Sequence, residues 1–228
     1  MSIALDRAPE LPKYELLERI GTGGMAMVYR ARDRRLGREV AVKLIHPHLR
    51  ESAEVAARFV SEARAVARLR HPNVVEVFDV SDADEPERYL VVELVRGVTL
   101  RTLLSKHRAL PPELGAAIGL ELVAALEHAH AEGIVHRDVK PENVLIDLAG
   151  ARSGPAPTEP RGRRPRVKLT DFGIAKLLDA QGVTSTGQVL GSPAHMAPEQ
   201  IEGGDVGPRA DVFALGVLLY ECMVGGLP

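Results

Sequence analysis

The 228 residues are 45% hydrophobic and 26% charged, a balance that suits a globular chain with a sizeable core and excludes disordered and fibrous classes. Basic residues (29) nearly match acidic ones (31), for a net charge of −2, so no global field draws the chain onto nucleic acid or an anionic membrane. Cys222 is the single cysteine and cannot form an internal disulfide, which fits a reducing cytoplasm. No run of about 18 apolar residues occurs. Asp6 and Arg7 stand where a signal core would lie, so the sequence predicts a soluble chain without a secretion signal.

Residues 1–13 carry Pro9 and Pro12 without periodicity and read as a loose lead-in. Structure starts at Tyr14. Short apolar runs at 14–20, 28–31, 40–45, 74–80 and 89–92 predict five strands, interrupted by one helix over 54–69. Phe59, Ala63 and Val66 repeat along that helix, and Glu62 falls inside the same stripe, where an acid demands a cation. Beyond Gly97 helical spacing takes over: Leu114, Ile118, Leu122, Ala125, Leu126 and Ala129 predict a buried helix that opens at Pro112 and closes at Gly133. Two short strands follow, 144–146 and 167–169. Between them, residues 152–166 hold 4 prolines and 5 arginines against one acid, Glu159. That composition predicts an exposed, mobile loop, either a solvated insertion or a basic docking segment for an acidic partner. The last helix, 210–224, is apolar on most sides and suits the centre of a larger body. The chain ends four residues later, which reads as a C-terminal truncation.

Gly21-Thr22-Gly23-Gly24-Met25-Ala26-Met27-Val28 joins the first two predicted strands. Glycines there let backbone N–H groups approach phosphate oxygens without side-chain clash, although a plain hairpin turn accounts for the same residues. A Walker loop needs Gly-Lys-Ser/Thr, and a dinucleotide fingerprint opens a helix, so neither fits. Lys43, in Val40-Ala41-Val42-Lys43, and Glu62 answer each other as charges in apolar surroundings. A Lys–Glu pair in a dry cleft lets the ammonium reach phosphate oxygens, whereas the alternative is two unrelated surface charges. His136-Arg137-Asp138-Val139-Lys140-Pro141-Glu142-Asn143 follows the long helix, and Asp171-Phe172-Gly173 follows the second short strand.

In that order and on those elements, the five motifs resemble the eukaryotic-type protein kinase superfamily from about Tyr14 to the last residue. The Gly-Gly-Met-Ala form of the loop resembles the bacterial serine/threonine kinases within it. The resemblance implies an α+β, two-lobed protein-kinase-like fold. A small β-rich lobe with one helix spans 14–95, and a larger, mainly helical but incomplete lobe spans 96–228, with the insertion at 149–166. It implies transfer of the ATP γ-phosphoryl group to protein Ser/Thr hydroxyls with Mg²⁺, or Mn²⁺ in its place.

Residue by residue, the resemblance makes Asp138 the catalytic base and gives Lys140 the charge on the moving group. Lys43 with Glu62 would hold phosphates, and Asn143 and Asp171 the metal. Ile20, Gly21, Thr22, Gly23, Gly24, Met25 and Ala26 would cover the nucleotide. Val28, Ala41 and Leu145 would sandwich adenine, and Glu93 and Val95 would bond it through backbone groups, beside Val92. Val66, Val77, His136 and Phe172 match a stacked regulatory column, and Asp211 matches the acid that anchors the catalytic loop. Leu218 and Cys222 match positions that support the adenine column. Thr184, Ser185 and Thr186 are candidate phosphosites, with Arg137 as the cation to pair with an added phosphate. His128 and His130, two apart on a helix, make a poor metal site. Ala26 and His195 stand where glycine and tyrosine are common, and the arginine that pairs with Glu199 is absent. The expected partners are ATP, protein substrates and a second kinase molecule, with no nucleic acid and no membrane contact from this chain. The expected location is the cytoplasm, with longer relatives anchored to a membrane through a segment absent here. A second reading keeps the fold and makes the chain a nucleotide- or partner-binding module of impaired turnover.

Overall fold

The computed structural model describes residues 9–24, 26–50, 53–82, 85–147, 166–172 and 193–228. The chain forms two compact units, Met1–Ala67 with Glu76–Leu94, and Arg68–Val75 with Val95–Pro228. In the first unit, β1 (Tyr14–Thr22), β2 (Ala26–Asp33), β3 (Glu39–Ile45), β4 (Val77–Val80) and β5 (Tyr89–Val92) make an antiparallel sheet of order β1-β2-β3-β5-β4. Two helices, α1 (Pro47–Arg50) and α2 (Ala53–Val66), follow β3. Local chemistry sets the turns. Asp33 Oδ1 accepts from Arg35 N at 2.9 Å and Leu36 N at 3.0 Å, and Gly37, at φ 70°, takes the left-handed step before β3.

Register then sorts the side chains onto two faces. Tyr29 lies opposite Val42, Ala31 opposite Val40, Val42 opposite Val91 and Leu44 opposite Tyr89. With Leu11 and Tyr14, these residues form a buried apolar cluster. The opposite face carries Val28 against Lys43, Lys43 against Leu90 and Ala41 against Val92.

In the second unit, β6 (Gly97–Thr99), β7 (Val144–Asp147) and β8 (Arg166–Leu169) form a small antiparallel sheet. Arg68–Val75 joins this unit because Val75 N donates to Leu169 O at 2.9 Å and Leu169 N to Asn73 O at 2.8 Å. The strand expected over 74–80 is therefore shorter, starting at Val77, because Val74 bridges to Leu169 instead. Among the described residues this unit has four α-helices: α3 (Leu100–His107), α4 (Pro112–Ala131), α5 (Pro198–Glu202) and α6 (Pro208–Val224). Thr99 caps α3 by accepting from Thr102 N at 3.1 Å. Where α4 meets α6 the contact is close: a Cβ at Gly119 would lie 3.0 Å from Leu219 Cδ2.

The α+β architecture agrees with the sequence expectation of one sheet unit with few helices and one mainly helical unit. The apolar surface of α6, read from its sequence on most sides, is only partly covered. That helix buries Ala214, Leu218 and Cys222 but exposes Val212, Phe213, Tyr220 and Met223. Burial pushes the Cys222 thiol up to about 11, well away from the reactive thiolate range. No helix among the described residues is long and apolar enough to cross a membrane.

Gly97 is fixed by close approach, since a Cβ there would overlap the Ile146 carbonyl oxygen and lie 2.7 Å from its carbon. Gly97→Ala is expected to cost at least about 1–3 kcal/mol through overpacking between β6 and β7. Urea unfolding followed by circular dichroism checks this, and an unchanged midpoint contradicts it.

Candidate active site

The site is built on a buried acid. Asp211, in the first turn of α6, is fully buried, and its carboxylate binds the backbone of one dipeptide. His136 N donates to Oδ2 at 2.8 Å and Arg137 N to Oδ1 at 2.7 Å, while His130 Nε2, from α4, lies 2.8 Å from Oδ2. Arg137 is thereby held at φ 67°, a left-handed conformation that costs a non-glycine residue about 1–3 kcal/mol. Burial keeps the His136 imidazole below the usual histidine range and hence neutral. Its Nε2–H donates to Thr170 O at 2.8 Å, and its Nδ1 accepts from Asp138 N at 3.2 Å. Its ring centroid lies 4.5 Å from that of Phe172.

This scaffold gathers three of the sequence-predicted residues. Asn143 Nδ2 donates to Asp138 O at 2.8 Å and to Asp138 Oδ2 at 2.9 Å, and Lys140 Nζ pairs with the same Oδ2 at 2.8 Å. Asp171 is drawn to the loop through its neighbour, since Thr170 N donates to Asn143 O at 3.0 Å. Asp171 also lies at φ 69°, a second strained residue in this small region. An Asn143 amide oxygen and an Asp171 carboxylate are hard donors of the kind that suits Mg²⁺, which takes its remaining ligands from water and phosphate. Leu145 lies on β7 opposite Lys168, and Val95 is half-buried ahead of β6.

In the first unit, Ile20, Gly21 and Thr22 end β1, Gly23 and Gly24 occupy the hairpin, and Ala26 and Val28 open β2. Neither Gly21 nor Gly23 needs a positive φ. A Cβ at Gly21 would meet Val28 at an ordinary 3.7 Å, and one at Gly23 would lie 3.8 Å from Ala26 O. The fold itself would accept side chains at both. Val28, Ala41 and Lys43 share one sheet face, and Glu62 is half-buried on α2 between Phe59 and Val66. Glu93 N donates to Glu76 O at 2.8 Å. Lys43 is 9% exposed, and that burial lowers its ammonium to about 7. Met25, Gly173, Thr184, Ser185, Thr186 and residues 149–165 of the insertion lie outside the described residues.

The structure adds side-chain contacts that the sequence reading did not foresee. Arg101, on α3, reaches Glu142 inside the loop at 2.8 Å and pairs with Glu221 of α6, its Nη2 lying 3.3 Å from Oε2. His195 Nε2 lies 3.2 Å from the same Glu221 Oε2. Gln200 Nε2 donates to Arg137 O at 2.8 Å. Charged and amide residues on helices carry no motif; an acid inside the apolar α6 was the one signal on offer.

Residues 14–228 match the family model described as protein kinase domain. The serine/threonine-protein kinase PrkC of Bacillus subtilis is 39% identical over 216 residues, covering 95% of this chain and 31% of that protein. PknL of Mycobacterium tuberculosis, also a serine/threonine-protein kinase, is 40% identical over 216 residues, covering 95% of this chain. The chain spans 50% of PknL, so it corresponds to only part of each relative. Among solved structures, the Mycobacterium tuberculosis PknI kinase domain matches with a TM-score of 0.75 at 27% identity, over 99% of this chain and 79% of that one.

Burial of Lys43 gives a pH signature. Its ammonium titrates near 10.5 when unfolded and about 7 when folded, so between those values the unfolded chain binds more protons and stability rises with pH. Lys43→Met is expected to be more stable than the parent at neutral pH and to lose that advantage progressively toward pH of about 10. Urea midpoints at pH values of about 6, 8 and 10 check this, and a difference that does not change with pH contradicts it.

Proposed function

The chain belongs to the protein kinase domain family, and from that membership we propose that it transfers the γ-phosphoryl group of ATP to serine or threonine hydroxyls of proteins. The observation that supports this best is the cluster on one carboxylate: Lys140 and Asn143 both engage Asp138 Oδ2 on a backbone held in a strained turn. Phosphoryl transfer asks the protein mainly for positioning and for charge. Asp138 orients the substrate hydroxyl and accepts its proton, and Lys140 stabilises negative charge as the phosphoryl group moves. Asn143 and Asp171 hold Mg²⁺, which supplies positive charge to the phosphate oxygens when bound.

The nucleotide side follows the same logic. Lys43 loses hydration on burial, so a phosphate oxygen beside it restores a favourable charged state, with Glu62 as its carboxylate partner. Gly21 and Gly23 leave room that the fold does not itself require, which suits the approach of phosphates to Ile20–Ala26 backbone groups. Val28 and Ala41, with Val92 opposite Ala41, offer adenine an apolar face. Glu93 spends its N–H on Glu76, so its carbonyl is the group it presents to adenine, and Val95 offers its N–H.

Incubation with labelled ATP, Mg²⁺ and a generic basic protein tests the reading. The parent is expected to transfer label, and Asp138→Asn to lower the rate by about 10²–10⁴ while still binding a fluorescent nucleotide. A parent that binds nucleotide and transfers nothing contradicts the kinase reading and leaves a nucleotide-binding module.

A further inference from the structure

The aim of Asp138 depends on the peptide plane that precedes it, and two groups hold that plane. Its N–H, belonging to Asp138, donates to His136 Nδ1 at 3.2 Å, and its carbonyl, belonging to Arg137, accepts from Gln200 Nε2 at 2.8 Å. Arg137 itself sits at φ 67°, with its N–H on Asp211 Oδ1 at 2.7 Å and its Nη2 on Val206 O at 3.2 Å. A left-handed residue of this kind relaxes unless its surroundings over-determine it. Asp211 fixes the backbone before Arg137. Gln200 meets the carbonyl that follows it.

The orientation of Gln200 is set by its second bond. Its Oε1 accepts from Ala197 N at 3.0 Å, at the start of α5, so its amide nitrogen faces the Arg137 carbonyl. A flipped amide would set two acceptors together at Arg137 and two donors together at Ala197. We propose that Gln200 is a positioning residue for phosphoryl transfer: it ties the first turn of α5 to the peptide before Asp138 and so directs the Asp138 carboxylate. The catalytic consequence rests on the kinase reading above, whereas the positioning itself rests on geometry.

Two variants separate the bonds. In Gln200→Glu the carboxylate still accepts from Ala197 N but turns an oxygen toward the Arg137 carbonyl; Gln200→Met keeps the length and removes both bonds. Each variant is expected to lose about 10- to 100-fold in kcat, because a small misplacement of a reacting group costs up to about 10²-fold. The KM for ATP is expected to stay within about threefold of the parent. Amide hydrogen exchange at residues 136–138, read by mass spectrometry, is expected to speed up at least about tenfold in both variants. A residue that merely caps α5 would leave Gln200→Glu like the parent in exchange and in kcat. Parental exchange in Gln200→Glu overturns the proposal, as does parental kcat beside an active parent, and as does failure of both variants to fold. If the parent itself transfers nothing, the kinase reading fails separately and the exchange rates still decide the role of Gln200.

Discussion

A carboxylate with no exposure to water is costly unless every lone pair that matters is met, and Asp211 meets this condition with the backbone of the loop it anchors. Its bonds to His136 N and Arg137 N turn the cost of burial into a constraint on the chain 75 residues earlier. His130 brings α4 to the same oxygen, so two helices and the loop share one polar centre. The strained turn at Arg137 follows from that centre, and the cluster of Asp138, Lys140 and Asn143 follows from the turn. Further along the loop, Arg101 ties Glu142 to Glu221. There, although burial opposes ionisation, the Arg101 guanidinium holds the Glu142 carboxyl below the usual carboxylate range. The loop is thus secured at both ends by side chains from helices and needs no regular structure of its own beyond the short turn Pro141–Asn143.

The first unit applies a different rule, the alternation of a strand. One face of its sheet is spent on the apolar cluster of Val40, Val42, Leu44, Tyr89 and Val91. The same period of two sets Lys43 on the other face with Val28 and Ala41. A shift of one residue in β3 would exchange the two sets, so the packing of the core and the placement of the ammonium are a single choice of register. Burial on that face lowers the ammonium to about 7.

Much of this was legible in the chain. Apolar runs located all five strands of the large sheet, because β-branched and aromatic residues at those positions are what a buried sheet requires. The loop residues were legible through the resemblance of their motif to the protein kinases, and Lys43 and Glu62 stood out as charges among apolar neighbours. What escaped has physical reasons. The strand Gly97–Thr99 is too short to show a period, and α3 behind it announces itself only by Thr99 as a cap and Leu100 with Leu104 as its buried pair. Val74 looked like the start of a strand because apolar character does not say which partner a residue bridges to. The contact of Gln200 with Arg137 spans 63 residues, and a hydrogen bond between remote positions leaves no periodic trace. Asp211 was visible through family resemblance, while composition and spacing gave no hint of its two backbone partners.

The dependence of the loop on one buried acid is most directly measured by a crystal structure of the Asp211→Ala chain. The account predicts that Arg137 leaves its left-handed conformation near φ 67° and that Lys140 and Asn143 no longer meet on one oxygen of Asp138. A loop that keeps both features without the Asp211 carboxylate would contradict it.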